Sequence, residues 1–148
     1  MRLFISLALL SLVAAPLALA DPGPRNLNAG GSPLSLEDGR GIAIVRGRDG
    51  SLTGEVRRGR VRAVNARVSG CEIRRRINRR TVLCIGRRLT FLALGRNWAI
   101  TTRGAGINAS GVLKGSLTLQ GTDGTYSLEP GGGNERPWPR VQRTFSIG

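Results

Sequence analysis

Apolar and polar residues alternate along short runs of the chain, and glycines separate one run from the next. Such alternation is typical of β-strands with one buried face, because successive side chains of a strand point to opposite sides. No stretch of helical length carries an apolar stripe at helical spacing without interrupting glycines. The pattern therefore predicts an all-β protein, a compact antiparallel β-sandwich, with a small β-barrel as the alternative. Three sets of residues are each predicted to share one strand face: Leu89, Phe91 and Ala93; Trp98, Ile100 and Thr102; and Leu113, Gly115, Leu117 and Leu119.

The N-terminal residues predict export. An apolar run ends in Ala18, Leu19 and Ala20, the small-residue pattern that signal peptidase accepts. An uncleaved membrane anchor is the alternative, but the run is short for a bilayer span of about 20 residues, and Pro16 interrupts it. We therefore expect a secreted or cell-envelope-associated protein with no transmembrane domain in its mature form. The predicted segments are a signal peptide at 1–20, a flexible N-terminal arm at 21–39 and a single β domain at 40–148.

A faint internal repeat links two parts of the predicted domain. The letters GRGI at 39–42 and GAGI at 104–107 are each followed by a segment of the form G-x-L-x-G-x-(V or L). A duplication would predict two similar β units that face each other. Chance similarity is the alternative, because the chain contains 22 glycines.

The residues available for catalysis are few. The chain has no histidine, so the commonest general base and a common metal ligand are absent. Ser110 and Lys114 have the spacing S-x-x-x-K, but a lysine that points outward from a strand has no desolvated pocket to make it a base. We therefore predict that the protein is not an enzyme and that it uses no metal or cofactor.

Cys71 and Cys84 are the only cysteines, and in an exported protein they most simply form one disulfide. The segment between them predicts a β-hairpin with Ile77 and Asn78 at its tip. Asparagine tolerates the left-handed conformation of a tight turn but isoleucine does not, so we expect a longer or bulged loop. The predicted cross-strand pairs are Ile73 with Val82 and Arg75 with Arg80, with Cys71, Ile73, Val82 and Cys84 on one apolar face.

Five arginines of this hairpin are the candidate polyanion-binding residues: Arg74, Arg75, Arg76, Arg79 and Arg80. Over its fourteen residues the hairpin resembles the disulfide-closed, arginine-rich β-hairpin antimicrobial peptides, which would imply a cationic grip on an acidic partner. The alternative is structural, since charged side chains on an edge strand also discourage edge-to-edge aggregation.

Trp138 lies between Pro137 and Pro139, two prolines that hold the chain extended around the ring. The ring could stack on a sugar or a base. Its large apolar area instead favours a position where it plugs one end of the β core.

The net charge is +14, and removal of the predicted signal peptide with its single charge at Arg2 leaves +13. Such a surface attracts anions over a Debye length of about 8 Å. We expect an exported, non-enzymatic cationic β domain that associates with acidic envelope polymers, an acidic polysaccharide or another polyanion. The alternative is a structural or protein-interaction domain of the cell envelope whose charge is incidental.

The region after the predicted signal peptide resembles the short, glycine- and arginine-rich exported β proteins of high-GC bacteria. The resemblance lies in the GRGI opening, in GAGINASGVLKGSLTLQG at 104–121 and in GTYSLEPGGG at 124–133. It is a likeness of composition, and it implies no site, substrate or activity.

Overall fold

The computed structural model describes residues 31–148, so the predicted signal peptide and residues 21–30 of the predicted arm lie outside the described residues. The described chain forms one antiparallel sheet of six strands. In this part of the chain no helix combines the length and apolar character needed to cross a membrane. The strands are β1 (Ser32–Val64), β2 (Arg67–Ser69), β3 (Ile73–Arg76), β4 (Thr81–Ser127), β5 (Arg136–Pro137) and β6 (Arg143–Ile147), with a 3-10 turn at Pro130–Gly132.

Two long strands build most of the sheet, β1 with 33 residues and β4 with 47. β1 pairs with β4 along both of its edges, because Val45 lies opposite Ile100 on one edge and opposite Leu117 on the other. Ile100 in turn lies between Val45 and Ala63, two residues of β1 that are 18 positions apart. The two strands are therefore one antiparallel ribbon that winds round and pairs with its own next turn.

The ribbon bends at intervals, and we call these bends its corners. Glycines occupy the corners and recur every nine residues along each strand. Gly59 of β1 lies opposite Gly104 of β4, and both have a φ of 150°, which disfavours any residue with a side chain. A Cβ on either glycine would overlap the backbone of the other strand, so only glycine permits the two backbones to approach this closely at the corner. The six corner glycines are Gly41, Gly50 and Gly59 in β1 and Gly86, Gly95 and Gly104 in β4.

The buried side of β1 changes at each corner. Side chains alternate between the two sides of a strand, and the corners are nine residues apart. The core-facing positions therefore have even residue numbers in one nine-residue segment and odd residue numbers in the next. The β1–β4 register skips Arg48 and Arg57 next to two of these corners, as expected for β-bulges. The buried residues at this spacing are Leu34 and Leu36, then Ala43 and Val45, then Leu52 and Val56, then Val61 and Ala63.

The winding brings the two halves of the sheet onto one hydrophobic core, which is the predicted β-sandwich. The sheet stays open, so the alternative of a closed barrel is wrong. The three predicted strand faces are confirmed, since all of their residues are buried except the half-buried Gly115. β6 extends the sheet by pairing with residues 115–119, and β5 pairs with residues 125–126.

Two tryptophan rings fill space next to glycines of β1. Trp98 lies against Gly47, and Trp138 lies against Gly39, where in each case a Cβ would overlap the ring. Trp138 is buried, and its Nε1 donates a hydrogen bond to the carbonyl oxygen of Thr125 at 3.0 Å. The prediction that Trp138 plugs the core is therefore confirmed, and the ring is not free to stack on a ligand.

The N-terminal boundary of the folded part differs from the prediction. β1 begins at Ser32, so the predicted flexible arm of residues 21–39 is wrong for residues 32–39. Leu34 and Leu36 are both buried there, and residues 34–37 pair with β4 on one or both edges. The abundance of proline, glycine and serine concealed a strand that is held by only two large apolar side chains.

The segments of the faint internal repeat lie on strands that pair with each other. Gly41 is opposite Gly104, and Leu52 is opposite Gly111. These segments are therefore neighbours in one ribbon, and they do not form two separate units that face each other.

Candidate polyanion-binding groove

The connection from β1 to β4, residues 65–80, lies along one edge of the ribbon. β2 pairs with residues 90–92 of β4, and β3 pairs with residues 82–85. Cys71 lies between β2 and β3 and is bonded to Cys84, as predicted, with the two Cα atoms 5.2 Å apart. Because Cys84 is buried in the core, the disulfide anchors the connection to the ribbon.

The register of the hairpin differs by three residues from the predicted one. The predicted pairing of Ile73 with Val82 and of Arg75 with Arg80 is wrong. An odd shift turns one strand over relative to the other, so Ile73 and Val82 lie on opposite faces and the predicted apolar face does not form. The observed pairs are Ile73 with Ile85, Arg74 with Cys84, Arg75 with Leu83 and Arg76 with Val82.

The tip of the hairpin explains this register. The backbone N–H of Ile77 donates to the carbonyl oxygen of Thr81 at 3.0 Å, which closes a loop over residues 77–80. Within the loop the side-chain oxygen of Asn78 accepts from the N–H of Arg80 at 2.9 Å, the local bond that asparagine commonly makes in turns. The expected longer loop is therefore confirmed. A disulfide requires two cysteines to be close, but it does not require them to be directly opposite.

A groove of about 870 Å³ lies between β2, β3 and the part of β4 that they flank. Five arginines line it, and no acidic residue is among its lining residues. All five are exposed, so their guanidinium groups are free to meet a ligand from solvent. They are Arg67, Arg74, Arg76, Arg79 and Arg80, and we name this site the arginine groove.

Three local features bring these arginines together. Arg74 and Arg76 are two positions apart on β3, so strand alternation places both on the groove side. Arg79 and Arg80 belong to the loop at the tip. Asn65 fixes that loop, because its backbone N–H donates to the carbonyl oxygen of Arg80 at 2.8 Å. Arg67 enters from the opposite wall, because it begins β2.

The lining of the groove between the arginines includes two hydroxyl groups. The hydroxyl oxygens of Ser69 and Thr90 lie 2.5 Å apart and share a hydrogen bond across the β2–β4 pair. Val68 and Phe91 line the groove but are buried, so no aromatic face is presented for stacking. The site therefore offers charge and hydrogen-bond donors, not a platform for flat rings.

The electrostatics of the groove favour an anion with several negative groups. Guanidinium groups present paired N–H donors that match the two oxygens of a carboxylate, sulfate or phosphate. A cleft lined by one sign of charge concentrates the potential, and the arginine groove contains no acid to offset it. The arrangement can bind an anion, whereas it contains no paired nucleophile and base.

The structure brings together four of the five predicted arginines. Arg75 is not among the lining residues, because it alternates to the other face of β3 and lies opposite Leu83. Arg67 was missed because it precedes Cys71, outside the segment between the cysteines. Its alternation with the buried Val68 is the signal that could have placed it on a solvent-facing side.

Ser110 and Lys114 are not arranged as a catalytic pair. Ser110 lies opposite Ser35 and Thr53, whereas Lys114 lies opposite Asp49, beyond the next corner. Four residues of extended strand span about 13 Å, which is too far for a serine hydroxyl to transfer a proton to a lysine.

Comparisons with known proteins add no family to this description. The chain matches no protein-family model, no curated protein and no solved structure.

Proposed function

We propose that this is an exported, non-enzymatic protein that binds an acidic polymer of the cell envelope through the arginine groove. The observation that carries the proposal is the convergence of five arginines from β2, β3 and the hairpin tip on one groove without an acidic lining residue. Incidental surface charge would not require three separate elements to direct arginines to one place.

A polymeric anion suits this groove better than a single small one. Each guanidinium that meets an acidic group releases counterions from the polymer, and the gain adds over successive contacts. A small anion would gain from only one or two of the arginines at a time. The absence of an exposed aromatic ring in the groove favours recognition of a charged backbone over recognition of bases or sugar faces.

The competing function is a structural or protein-interaction domain whose charge is incidental. In that case polyanion binding would depend on net charge alone, and any arginine would contribute as much as any other. Two variants of equal net charge separate these functions.

The first variant replaces Arg74, Arg76 and Arg79 with serine, and its matched control replaces Arg48, Arg57 and Arg96 with serine. The control arginines are exposed and lie outside the groove lining. Affinity for long-chain polyphosphate is measured by titration at several salt concentrations. The groove variant is expected to flatten the slope of log affinity against log salt by about 2, because each lost contact removes somewhat less than one released counterion.

The control variant is expected to change this slope by less than about 0.5, since its arginines do not touch the polymer. Equal slopes for the two variants would overturn the proposal in favour of incidental charge. Circular dichroism and urea unfolding of both variants verify that the exposed substitutions leave the fold intact.

A further inference from the structure

A second surface lies on the other side of β3 from the arginine groove. In the described part of the chain, five large apolar residues are exposed, and three of them are in or beside this hairpin. Ile73 is 59% exposed, Ile77 is 46% exposed and Ile85 is 37% exposed. Exposed aliphatic groups are common singly, but a contiguous group calls for a functional explanation.

The strand register places Ile73 directly opposite Ile85, and Ile77 follows in the loop just after β3. Residues directly opposite each other in a ladder share a face of the sheet, so a row can be followed from strand to strand. Two neighbouring rows cross the outer face from β3 into the ribbon, and we name them together the isoleucine–arginine face. The first row is Ile73, Ile85, Arg60, Arg103 and Ile42, and the second is Arg75, Leu83, Arg62, Thr101 and Ile44.

A cleft of about 410 Å³ lies on this face beneath the hairpin tip. Ile42, Ile44, Ile77 and Leu83 supply its apolar lining, and three arginines stand among them. No acidic residue belongs to the cleft or to the two rows. The surface therefore combines aliphatic side chains with uncompensated positive charge.

This combination has a specific chemical complement. A soluble polyanion would be satisfied by the arginines but would leave the isoleucines in water. A neutral apolar partner would have to bury the guanidinium groups without counter-charges, which is costly. A surface that presents negative head groups above an aliphatic layer satisfies both sets of side chains at once.

We propose that the isoleucine–arginine face binds an anionic lipid surface. Ile73 and Ile77 enter the boundary between head groups and acyl chains, while Arg60, Arg62 and Arg75 bond to lipid phosphates. Arginine suits this depth, because its aliphatic stem lies along apolar surface while the guanidinium stays at the level of the head groups. The inference goes beyond the proposed polymer binding and does not rest on it, since the two sites use opposite faces of β3.

The test measures sedimentation of the protein with vesicles made of equal parts phosphatidylglycerol and phosphatidylcholine. The variant carries Ile73→Ser and Ile77→Ser. Its matched control carries Leu94→Ser and Val141→Ser, which change the other two large apolar residues that are exposed among residues 31–148, at 63% and 76%. All four positions are in solvent, so both variants are expected to fold.

The Ile73→Ser and Ile77→Ser variant is expected to bind these vesicles about tenfold more weakly, because it loses apolar contact with the acyl boundary. The control is expected to change binding by less than about twofold. Vesicles of pure phosphatidylcholine are expected to bind much less, since they offer no net negative charge. Unchanged binding of the isoleucine variant, or equal binding to both kinds of vesicle, would overturn the proposal.

A competition arm separates this face from the arginine groove. Saturating polyphosphate occupies the groove, yet most of the protein is expected to remain on the anionic vesicles. Complete release by polyphosphate would mean that the vesicles are held by general charge, and the lipid-binding face would be rejected. Retention of vesicle binding by the groove variant with Arg74, Arg76 and Arg79 replaced would support two independent sites.

Discussion

The winding ribbon and the connection of residues 65–80 use their side chains in opposite ways. β1 and β4 supply nearly all of the buried core, whereas Val68 is the only buried residue of the connection. Six of the 16 residues of the connection are arginines, and only Glu72 is acidic. Short ladders on β4 and one disulfide hold the connection in place.

The difference separates stability from binding. The ribbon needs particular side chains inside and particular glycines at its corners, so it has little freedom to vary. The connection is fixed by backbone pairing and by Cys71, and its outward side chains are free to serve a ligand. Substitutions in the two regions should therefore affect different measurements.

The largest expected effect is on folding. Leu117→Ala should lower the free energy of unfolding by about 2–5 kcal/mol, because Leu117 is completely buried in the core. Arg76→Ser, in the connection, should change it by less than about 0.5 kcal/mol, since Arg76 is exposed. Urea unfolding of the two variants measures this contrast, and a larger loss for Arg76→Ser would reverse the assignment of roles.

A corner of the ribbon offers an intermediate effect. Gly59→Ala should lower the free energy of unfolding by about 1–3 kcal/mol more than Gly95→Ala does. Both glycines have positive φ, but a Cβ at Gly59 overlaps the opposite backbone, whereas a Cβ at Gly95 meets nothing within 4 Å. Thermal unfolding of the pair isolates the cost of backbone approach, and equal losses would show that φ alone makes the corners glycine.

The smallest expected effect concerns pH and binding by the connection. Arginine stays protonated at every accessible pH, and the chain has no histidine. Histidine is the side-chain type that ordinarily titrates between pH 6 and pH 8, so in its absence polyphosphate affinity should change less than about twofold across this range. Binding titrations at fixed ionic strength test this, and a steep fall across that range would contradict a grip made of arginines.

Part of this structure could be predicted from the amino-acid sequence. The alternation of apolar and polar residues identified the buried faces correctly, because a strand that buries Leu89, Phe91 and Ala93 must turn the residues between them to the other side. The cysteines and most of the groove arginines were also predicted, since their positions in the sequence keep them close in space. These successes concern local pattern, for which neighbouring residues carry the information.

The winding of the ribbon was not predicted, although its nine-residue glycine spacing is present in the sequence. Glycine was interpreted as the end of each strand, whereas at positions such as Gly50 and Gly59 it lets one strand bend and continue. The hairpin register depends on how β4 already pairs with β1, a long-range constraint that the letters between Cys71 and Cys84 do not contain. For the same reason the predicted apolar face included Ile73, which is instead exposed.

The pairing of β1 also determines when, during synthesis, the edges of this strand become covered and can no longer pair with another chain. The ladders of β1 join this strand to β4, from the pair of Val64 with Thr81 to the pair of Ser35 with Ser127. A chain that is synthesised from its N-terminus therefore completes 33 residues of strand before any residue of β4 exists. Until β4 is made, β1 presents two unpaired edges, the condition in which strands join the wrong chain. The outward arginines of β1, including Arg46, Arg58 and Arg60, oppose this association, because like charges keep newly made copies of the strand apart.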